Sequence, residues 1–94
     1  MANNLIVAYD LISPGQNYDL VRDKIKSLGR WYQLQYSLFY LSTAFNAAQV
    51  SDAVRSVMDA NDKLVVVDAV AAVITPMSQT DINAINAVWF SKAA

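Results

Sequence analysis

The sequence predicts an α+β fold with a single antiparallel sheet, and three observations support that prediction. Two continuous apolar runs of β-prone residues, 5–10 and 64–69, indicate interior strands. Two other segments, 18–28 and 50–58, repeat apolar residues at helical spacings. Between them, residues 30–43 are rich in aromatic, β-branched and hydroxyl side chains, which favours a pair of strands. The order is strand, helix, strand, strand, helix, strand, followed by a tail.

The first strand ends before the breaker Ser13-Pro14-Gly15. The helix that follows has its apolar stripe at spacings of three and four, and Gly29 ends it. Asp19 falls in its first turn, where the helix dipole favours an anion. The stripe consists of Tyr18, Val21, Ile25 and Leu28.

The aromatic segment from Arg30 to Thr43 predicts two short strands that meet near Gln35 to Ser37. After it, Asn46 and Gln49 have the spacing of a capping box, which predicts the start of a second helix. That helix ends before Asn61-Asp62, and the run from Leu64 to Ala69 predicts the next strand.

The tail contains two further segments. Val70 to Ile74 either continues the preceding strand or forms a fifth one, and Thr75-Pro76 stops it. Beyond the proline, Ser78 or Thr80 caps a short helix with Ile82, Ile85, Val88 and Trp89 on one face. Two strand–helix–strand units joined by a hairpin form the ferredoxin-like βαββαβ pattern, here with a C-terminal strand and helix extension. We expect one domain over 1–94, with a core at about 4–70 and the extension at about 71–94.

The composition restricts the chemistry available to the chain. Its 94 residues are 55% hydrophobic and 16% charged, with a formal net charge of −1 and no His or Cys. All eight acidic residues are Asp. Catalytic triads, thiol nucleophiles, disulfides and zinc sites are therefore excluded, and a basic nucleic-acid footprint is missing. No signal peptide and no apolar run of membrane-spanning length is visible, so we expect a cytoplasmic protein without membrane association.

Both faces of the predicted sheet are apolar. A bare apolar sheet face would be a liability in water, so either the C-terminal helix or a second chain covers it. The small size of the chain favours a homodimer. The Val70 to Ile74 segment is a candidate for pairing with the partner's sheet edge.

Asp10 is the first candidate for chemistry, because it ends the first strand at a sheet edge where loops meet. In a twofold dimer, two Asp10 carboxylates could bind one Mg²⁺ or Mn²⁺. The topology brings it near Ser37 and near Asn61 and Asp62, which are conceivable further ligands. The alternative is that Asp10 accepts hydrogen bonds from the backbone of the Leu11-Ile12-Ser13 turn.

Two other segments are candidate ligand-binding regions. The loop before the first helix presents backbone N–H groups that could receive a phosphate, although turn chemistry alone explains Pro14 and Gly15. Arg30, Trp31 and Tyr32 combine a cation with aromatic rings that stack on bases, or they form an aromatic strand packed across a dimer interface. The loop candidates are Ser13, Gly15, Gln16 and Asn17.

Three segments resemble one superfamily. Val7-Ala8-Tyr9-Asp10-Leu11, and Gly29-Arg30 followed by Gln35-Tyr36-Ser37-Leu38-Phe39, resemble the small CRISPR adaptation subunit, a ferredoxin-like dimer described as a metal-dependent nuclease in some members. A longer match is similar to bacterial and phage SinR-like proteins, which have no established activity. It joins Tyr9-Asp10-Leu11 with Ser13-Pro14-Gly15-Gln16-Asn17-Tyr18 and Ile25-Lys26-Ser27-Leu28-Gly29. The VapD toxin ribonucleases share the fold, and the resemblance covers roughly residues 4 to 70.

The resemblance implies roles for individual residues. Asp10 matches a strand-one aspartate assigned to metal binding in the nuclease members, and Ser37 and Phe39 match their Ser-x-Phe segment. Those relatives commonly have an acidic residue after the Phe, whereas this chain has Tyr40. Their basic helix surface is mostly missing here.

Three hypotheses follow for the function. The leading one is a non-catalytic homodimeric binding module of the SinR-like branch, whose ligand is a nucleotide, a short nucleic acid or a protein. The second is a Mg²⁺- or Mn²⁺-dependent endonuclease with paired Asp10 residues at the dimer interface. The third is a phage-type sponge that sequesters a nucleotide signal. All three place the protein in a bacterial cell or a phage-infected host.

Overall fold

The computed structural model describes residues 3–12, 18–71, 73, 75 and 78–89. Within them the architecture is α+β, as the sequence predicts: a four-stranded antiparallel sheet and three helices. The elements in chain order are β1 (Asn3–Asp10), α1 (Tyr18–Lys26), β2 (Arg30–Gln35), β3 (Leu38–Thr43), α2 (Ala47–Arg55), β4 (Lys63–Asp68) and α3 (Gln79–Trp89). No helix among these residues is both long enough and apolar enough to cross a bilayer.

The strands lie in the order β2-β3-β1-β4, which is compatible with a ferredoxin-like fold. Val7, in the middle of β1, is opposite Phe39 of β3 on one side and Val66 of β4 on the other. β1 and β3 are therefore the inner strands, and β2 and β4 form the two edges of the sheet.

One face of the sheet, the helix face, packs against α1 and α2. Its core consists of alternate residues of β1 and β3 together with Val21 and Ile25 of α1 and Val50 and Val54 of α2. Gly29 lets the chain approach β3 closely, because a Cβ atom there would lie 2.2 Å from the carbonyl oxygen of Ser42. The helical periodicity in the sequence thus corresponds to two helices that bury one stripe each.

The other face, the open face, is only partly covered. α3 packs over β2 and β3, where Ile85 and Val88 lie against Tyr40, and the Trp89 ring is 5.0 Å from the Tyr40 ring. The β1–β4 half keeps Val65 56% exposed. The C-terminal helix therefore covers part of its own sheet, and the part nearest β4 remains apolar and open.

Several local predictions are confirmed. The Asn46 side chain accepts from the Gln49 N–H at 2.8 Å and the Gln49 side chain accepts from the Asn46 N–H, which is the predicted capping box. The two middle strands meet at Tyr36 and Ser37. Of the two candidate caps for α3, Ser78 accepts from the Asp81 N–H at 3.1 Å.

The prediction for the Val70 to Ile74 segment is not supported. β4 ends at Asp68, and residues 69–71, 73 and 75 lie outside any strand. Val70 and Val73 are almost fully exposed, so no described strand packs on them. Ile74 lies outside the described residues, as does residue 72.

Candidate functional site

The polar and aromatic groups that the sequence singles out come closest together where β1 ends. The Tyr9 N–H donates to the carbonyl of Ser37 at 3.1 Å, which brings the β2–β3 turn beside this end of the strand. Because side chains alternate along a strand, Tyr9 lies on the helix face and Asp10 on the open face. The end of β1 thus presents a phenol ring on the helix face and a carboxylate on the open face.

Three tyrosines form a cluster on the helix face, which we call the tyrosine cluster (Tyr9, Tyr18 and Tyr36). The Tyr18 ring is 6.1 Å from the Tyr9 ring and 5.1 Å from the Tyr36 ring, both tilted, which is a favourable range for aromatic pairs. Tyr9 is buried and Tyr18 is half-buried, whereas Tyr36 is 63% exposed. The Tyr36 ring is therefore open to solvent and packs on Tyr18, which in turn packs on Tyr9.

A cation lies close to this cluster. Burial raises the pKa of Tyr9, and the positive charge of Arg22 opposes that rise. The Arg22 guanidinium also pairs with Asp19 one turn earlier on α1. The cluster therefore has an exposed aromatic ring, Tyr36, and its buried ring, Tyr9, lies in the field of a guanidinium whose charge is partly balanced by Asp19.

On the open face, Asp10 is exposed and lies opposite Lys63 in the β1–β4 register. The two residues line a shallow concavity of about 240 Å³ together with Ala8, Tyr9 and Val65. An ammonium group on the neighbouring strand gives the Asp10 carboxylate a potential counter-charge. The floor of this concavity is apolar.

Asp62 is not available as a partner for Asp10. It is 6% exposed, and its two carboxylate oxygens accept from the N–H groups of Ile12 and Asp59, each at 2.9 Å. The Arg55 guanidinium donates to the Asp62 carbonyl oxygen at 2.6 Å. Asp62 is therefore a structural residue that joins the chain after β1 to the loop before β4.

These contacts bear on both interpretations of Asp10. The Ile12 N–H, which the turn interpretation assigns to Asp10, donates to Asp62 instead. For the metal interpretation, no group of three or more His, Cys, Asp or Glu side chains in the described part of the chain is arranged to hold an ion. Asp10 thus belongs to no such group of three or more ligands among these residues.

The Arg30-Trp31-Tyr32 segment does not form one binding surface. Strand alternation puts Trp31 on the helix face, opposite Leu41, while Tyr32 lies on the open face opposite Tyr40. The Lys26 ammonium is 4.3 Å from the centroid of the Trp31 ring, and the Phe39 ring meets that ring edge-on at 5.9 Å. The indole is therefore already in contact with Lys26 and Phe39 of the protein itself, although it is 39% exposed.

Tyr32 instead attaches α3 to the sheet. Its hydroxyl donates to the Asp81 carboxylate at 2.5 Å. That hydrogen bond raises the pKa of Tyr32, and it lowers the pKa of Asp81, with a smaller contribution from Ser78. Arg30 is exposed at the start of β2.

The remaining candidates have separate locations. Phe39 is fully buried in the core and offers no surface to a ligand, and Ser37 is half-buried in the β2–β3 turn. Ser13, Gly15, Gln16 and Asn17 lie outside the described residues. Sequence reasoning missed the tyrosine cluster because its members are far apart in the chain; the signal was an aromatic residue, Tyr36, in a tight turn.

Comparison with known proteins adds no relative. No family model, no curated protein and no solved structure matches this chain.

Proposed function

We propose that this protein is a non-catalytic, homodimeric binding module with a ferredoxin-like fold of the SinR-like branch, acting in the cytoplasm of a bacterial or phage-infected cell. Its ligand is a nucleotide or a short single-stranded nucleic acid, held at the tyrosine cluster. The observation that supports this most is the exposed Tyr36 ring, which packs on Tyr18. The buried member of the same cluster, Tyr9, has a pKa that burial raises and the positive charge of Arg22 lowers. The order of elements and the strand order β2-β3-β1-β4 support the fold assignment.

The chemistry of the cluster matches that ligand class. A base stacked on an aromatic side chain contributes about 1–3 kcal/mol whatever its sequence, because every base has a π-face. Arg22 supplies a cation for a phosphate, and guanidinium groups bind phosphate oxygens in pairs. The chain has only seven Lys and Arg residues, and long duplexes require many phosphate contacts, so a small or short ligand fits better.

A protein ligand remains the alternative within the same function. Exposed tyrosines are also common at protein interfaces, where the ring provides area and the hydroxyl a hydrogen bond. A nucleotide is favoured by the positive charge of Arg22, which acts on Tyr9 of the same cluster. The two ligand classes are separated by direct titration.

The experiment is a titration with nucleoside monophosphates and short oligonucleotides, followed by intrinsic fluorescence and calorimetry. Replacing Tyr36 with alanine removes the stacking ring, so we expect affinity to fall by about 5-fold to 150-fold. Tyr36→Phe is the matched control, since it keeps the ring and should bind within about twofold of wild type. Arg22→Gln should weaken phosphate-bearing ligands and leave nucleosides unchanged. Equal affinity of wild type and Tyr36→Ala would contradict the proposal.

A second candidate, the endonuclease, is favoured by one observation: Asp10 is exposed at the end of β1, in a concavity open to a substrate. It requires the Asp10 of a partner subunit to complete a Mg²⁺ or Mn²⁺ site. Cleavage of RNA or DNA that needs the metal and disappears in Asp10→Asn, with the dimer intact, would establish it. Release of an intact nucleotide when the purified protein is denatured would instead identify a nucleotide sponge.

A further inference from the structure

We propose that two copies of this chain join along β4, whose outer edges pair antiparallel about a twofold axis at Val66. The inference rests on the homodimer in the proposed function and specifies its interface. The joined sheet would be continuous, with eight strands.

The direction of the hydrogen bonds along β4 follows from one contact. Leu5 is opposite Asp68 in the register, so Ala69 is opposite Asn4, and the Ala69 N–H donates to the Asn4 carbonyl at 2.8 Å. Hydrogen-bonded pairs alternate along an antiparallel ladder. The backbone groups of odd-numbered residues of β4 therefore point to β1. Those of Leu64, Val66 and Asp68 point outward.

No described strand pairs with that outer edge, since β4 is the last strand of the sheet. Natural edges are usually protected by bulges, prolines or inward charges. β2, the other edge, carries a register shift between Gln33 and Gln35. β4 has a regular register with β1 and no proline or glycine, and its Val65 and Val67 are 56% and 47% exposed. It has the properties of an edge that is covered by another strand.

A second copy of β4 fits this edge because the outward groups are symmetric about Val66. Pairing Val66 with the partner's Val66 also aligns Leu64 with the partner's Asp68, so that every outward N–H and C=O of the strand is used. The same register puts Val65 opposite the partner's Val67 on the open face, where side chains of a non-hydrogen-bonded pair come closest. Both exposed valines are then covered in each subunit.

The charges favour the antiparallel arrangement. β4 begins with Lys63 and ends with Asp68, and its four internal residues are apolar. In an antiparallel pair, the Lys63 end of one strand lies beside the Asp68 end of the other. The two side chains project from opposite faces of the sheet, because residues 63 and 68 are an odd number of positions apart. A parallel pair would place like charges together at both ends.

This interface also separates the two candidate functions. Each Asp10 lies opposite Lys63 of its own subunit. In the proposed register Lys63 lies opposite residue 69 of the partner, so the two Asp10 residues of the dimer are six residues apart along the strands. They are also three strand spacings apart across the sheet. At about 3.4 Å per residue and about 4.8 Å per strand, the two carboxylates lie more than about 20 Å apart. They could not share one metal ion, so this dimer is compatible with the binding module and not with paired Asp10 catalysis.

The experiment uses the absence of cysteine from the chain, which makes single-cysteine variants specific. Val65→Cys and Val67→Cys change exposed side chains, so the fold should be kept. The two variants are mixed, left to exchange subunits and oxidised. We expect a disulfide dimer in the mixture and little in either variant alone, because residue 65 is opposite residue 67 of the partner. Val70→Cys, outside the strand, is the control.

A second variant tests the backbone pairing. Asp68→Pro removes an outward N–H without removing a hydrogen bond to β1, and an edge strand tolerates proline there. We expect the dimer dissociation constant from light scattering and sedimentation to rise about tenfold or more relative to Asp68→Ala.

Three outcomes would overturn the interface. Efficient crosslinking of Val65→Cys alone would show a different register. A wild-type dimer with no crosslink in the mixture would show a different interface and leave the homodimer intact. A monomer at all concentrations would remove the dimer itself, while nucleotide binding at Tyr36, measured separately, would still decide the ligand part of the proposed function.

Discussion

Replacing Asp62 with alanine tests a buried carboxylate that joins two separate segments of the chain. Its carboxylate accepts two backbone N–H groups, from Ile12 and Asp59, each at 2.9 Å, and it is 6% exposed. Alanine offers no acceptor, so both backbone donors lose their partner at a part-buried position. The change therefore removes the connection between the end of β1 and the start of β4.

The magnitude follows from those two contacts. A hydrogen bond to a charged group contributes about 1.5–3 kcal/mol, and both bonds are only partly buried, so we expect a loss of about 3 kcal/mol in the free energy of unfolding. For a domain of this size that corresponds to a fall in Tm of about 10–20 °C. Asp62→Asn keeps one acceptor oxygen and turns an amide N–H toward the other donor, so it should lose roughly half as much.

The assay is urea unfolding followed by far-UV circular dichroism and tryptophan fluorescence. Asp52→Ala is the matched control, because it makes the same chemical change at an exposed position of α2 and should stay within about 0.5 kcal/mol of wild type. If Asp62→Ala also stayed within that margin, the two hydrogen bonds would make no net contribution. Asp62 would then have to be reconsidered as a free carboxylate near Asp10.

Three further predictions concern other parts of the fold. Burial raises the pKa of Tyr40, whose hydroxyl has no hydrogen-bond partner within the part of the chain that the structure describes. Tyr40→Phe should therefore increase the free energy of unfolding by about 1 kcal/mol, and a loss in urea unfolding would contradict this. Gly29→Ala should lower the free energy of unfolding by about 1–3 kcal/mol, because the added Cβ would lie 2.2 Å from the Ser42 carbonyl oxygen. Unchanged thermal unfolding of this variant would show that the backbone moves apart at no cost. The hydrogen bond from Tyr32 lowers the pKa of the Asp81 carboxyl from its ordinary value of 3.8. This hydrogen bond therefore stabilises the fold at pH values above 3.8, and its stabilisation is lost as the pH falls through the lowered pKa. Asp81→Asn should therefore be less stable than wild type at neutral pH, and the difference should shrink in acid unfolding measurements; a constant difference would contradict the assignment.

The local structure was predictable because it depends on neighbours in the chain. The capping box at Asn46 and Gln49 is a three-residue pattern, and the structure contains both of its hydrogen bonds. The stripe of α1 likewise follows from helical spacing, and Val21 and Ile25 are buried as that spacing predicts. The strand predicted over Val70 to Ile74 is absent at the described residues of that segment, because β-propensity alone does not decide whether an apolar run docks on a sheet edge.

The candidate site was less predictable, because it depends on which distant residues meet. Asp62 looked like a helix-ending residue beside Asp10, and only the fold shows its carboxylate held by two backbone N–H groups. Trp31 and Tyr32 are adjacent in the chain, yet strand alternation sends their rings to opposite faces of the sheet. The tyrosine cluster joins residues from β1, α1 and the β2–β3 turn, which no single segment of sequence reveals.

By itself, the sequence determined the α+β class, the order of its elements and the absence of thiol, imidazole and zinc chemistry, since these follow from local periodicity and composition. The tertiary structure decided which half of the open face α3 covers, which strands form the two edges of the sheet and which aromatic side chains stay exposed. The physical reason is that a β-prone run carries its own hydrogen-bonding groups, but their direction and their partners are set only when the register with β1 is fixed.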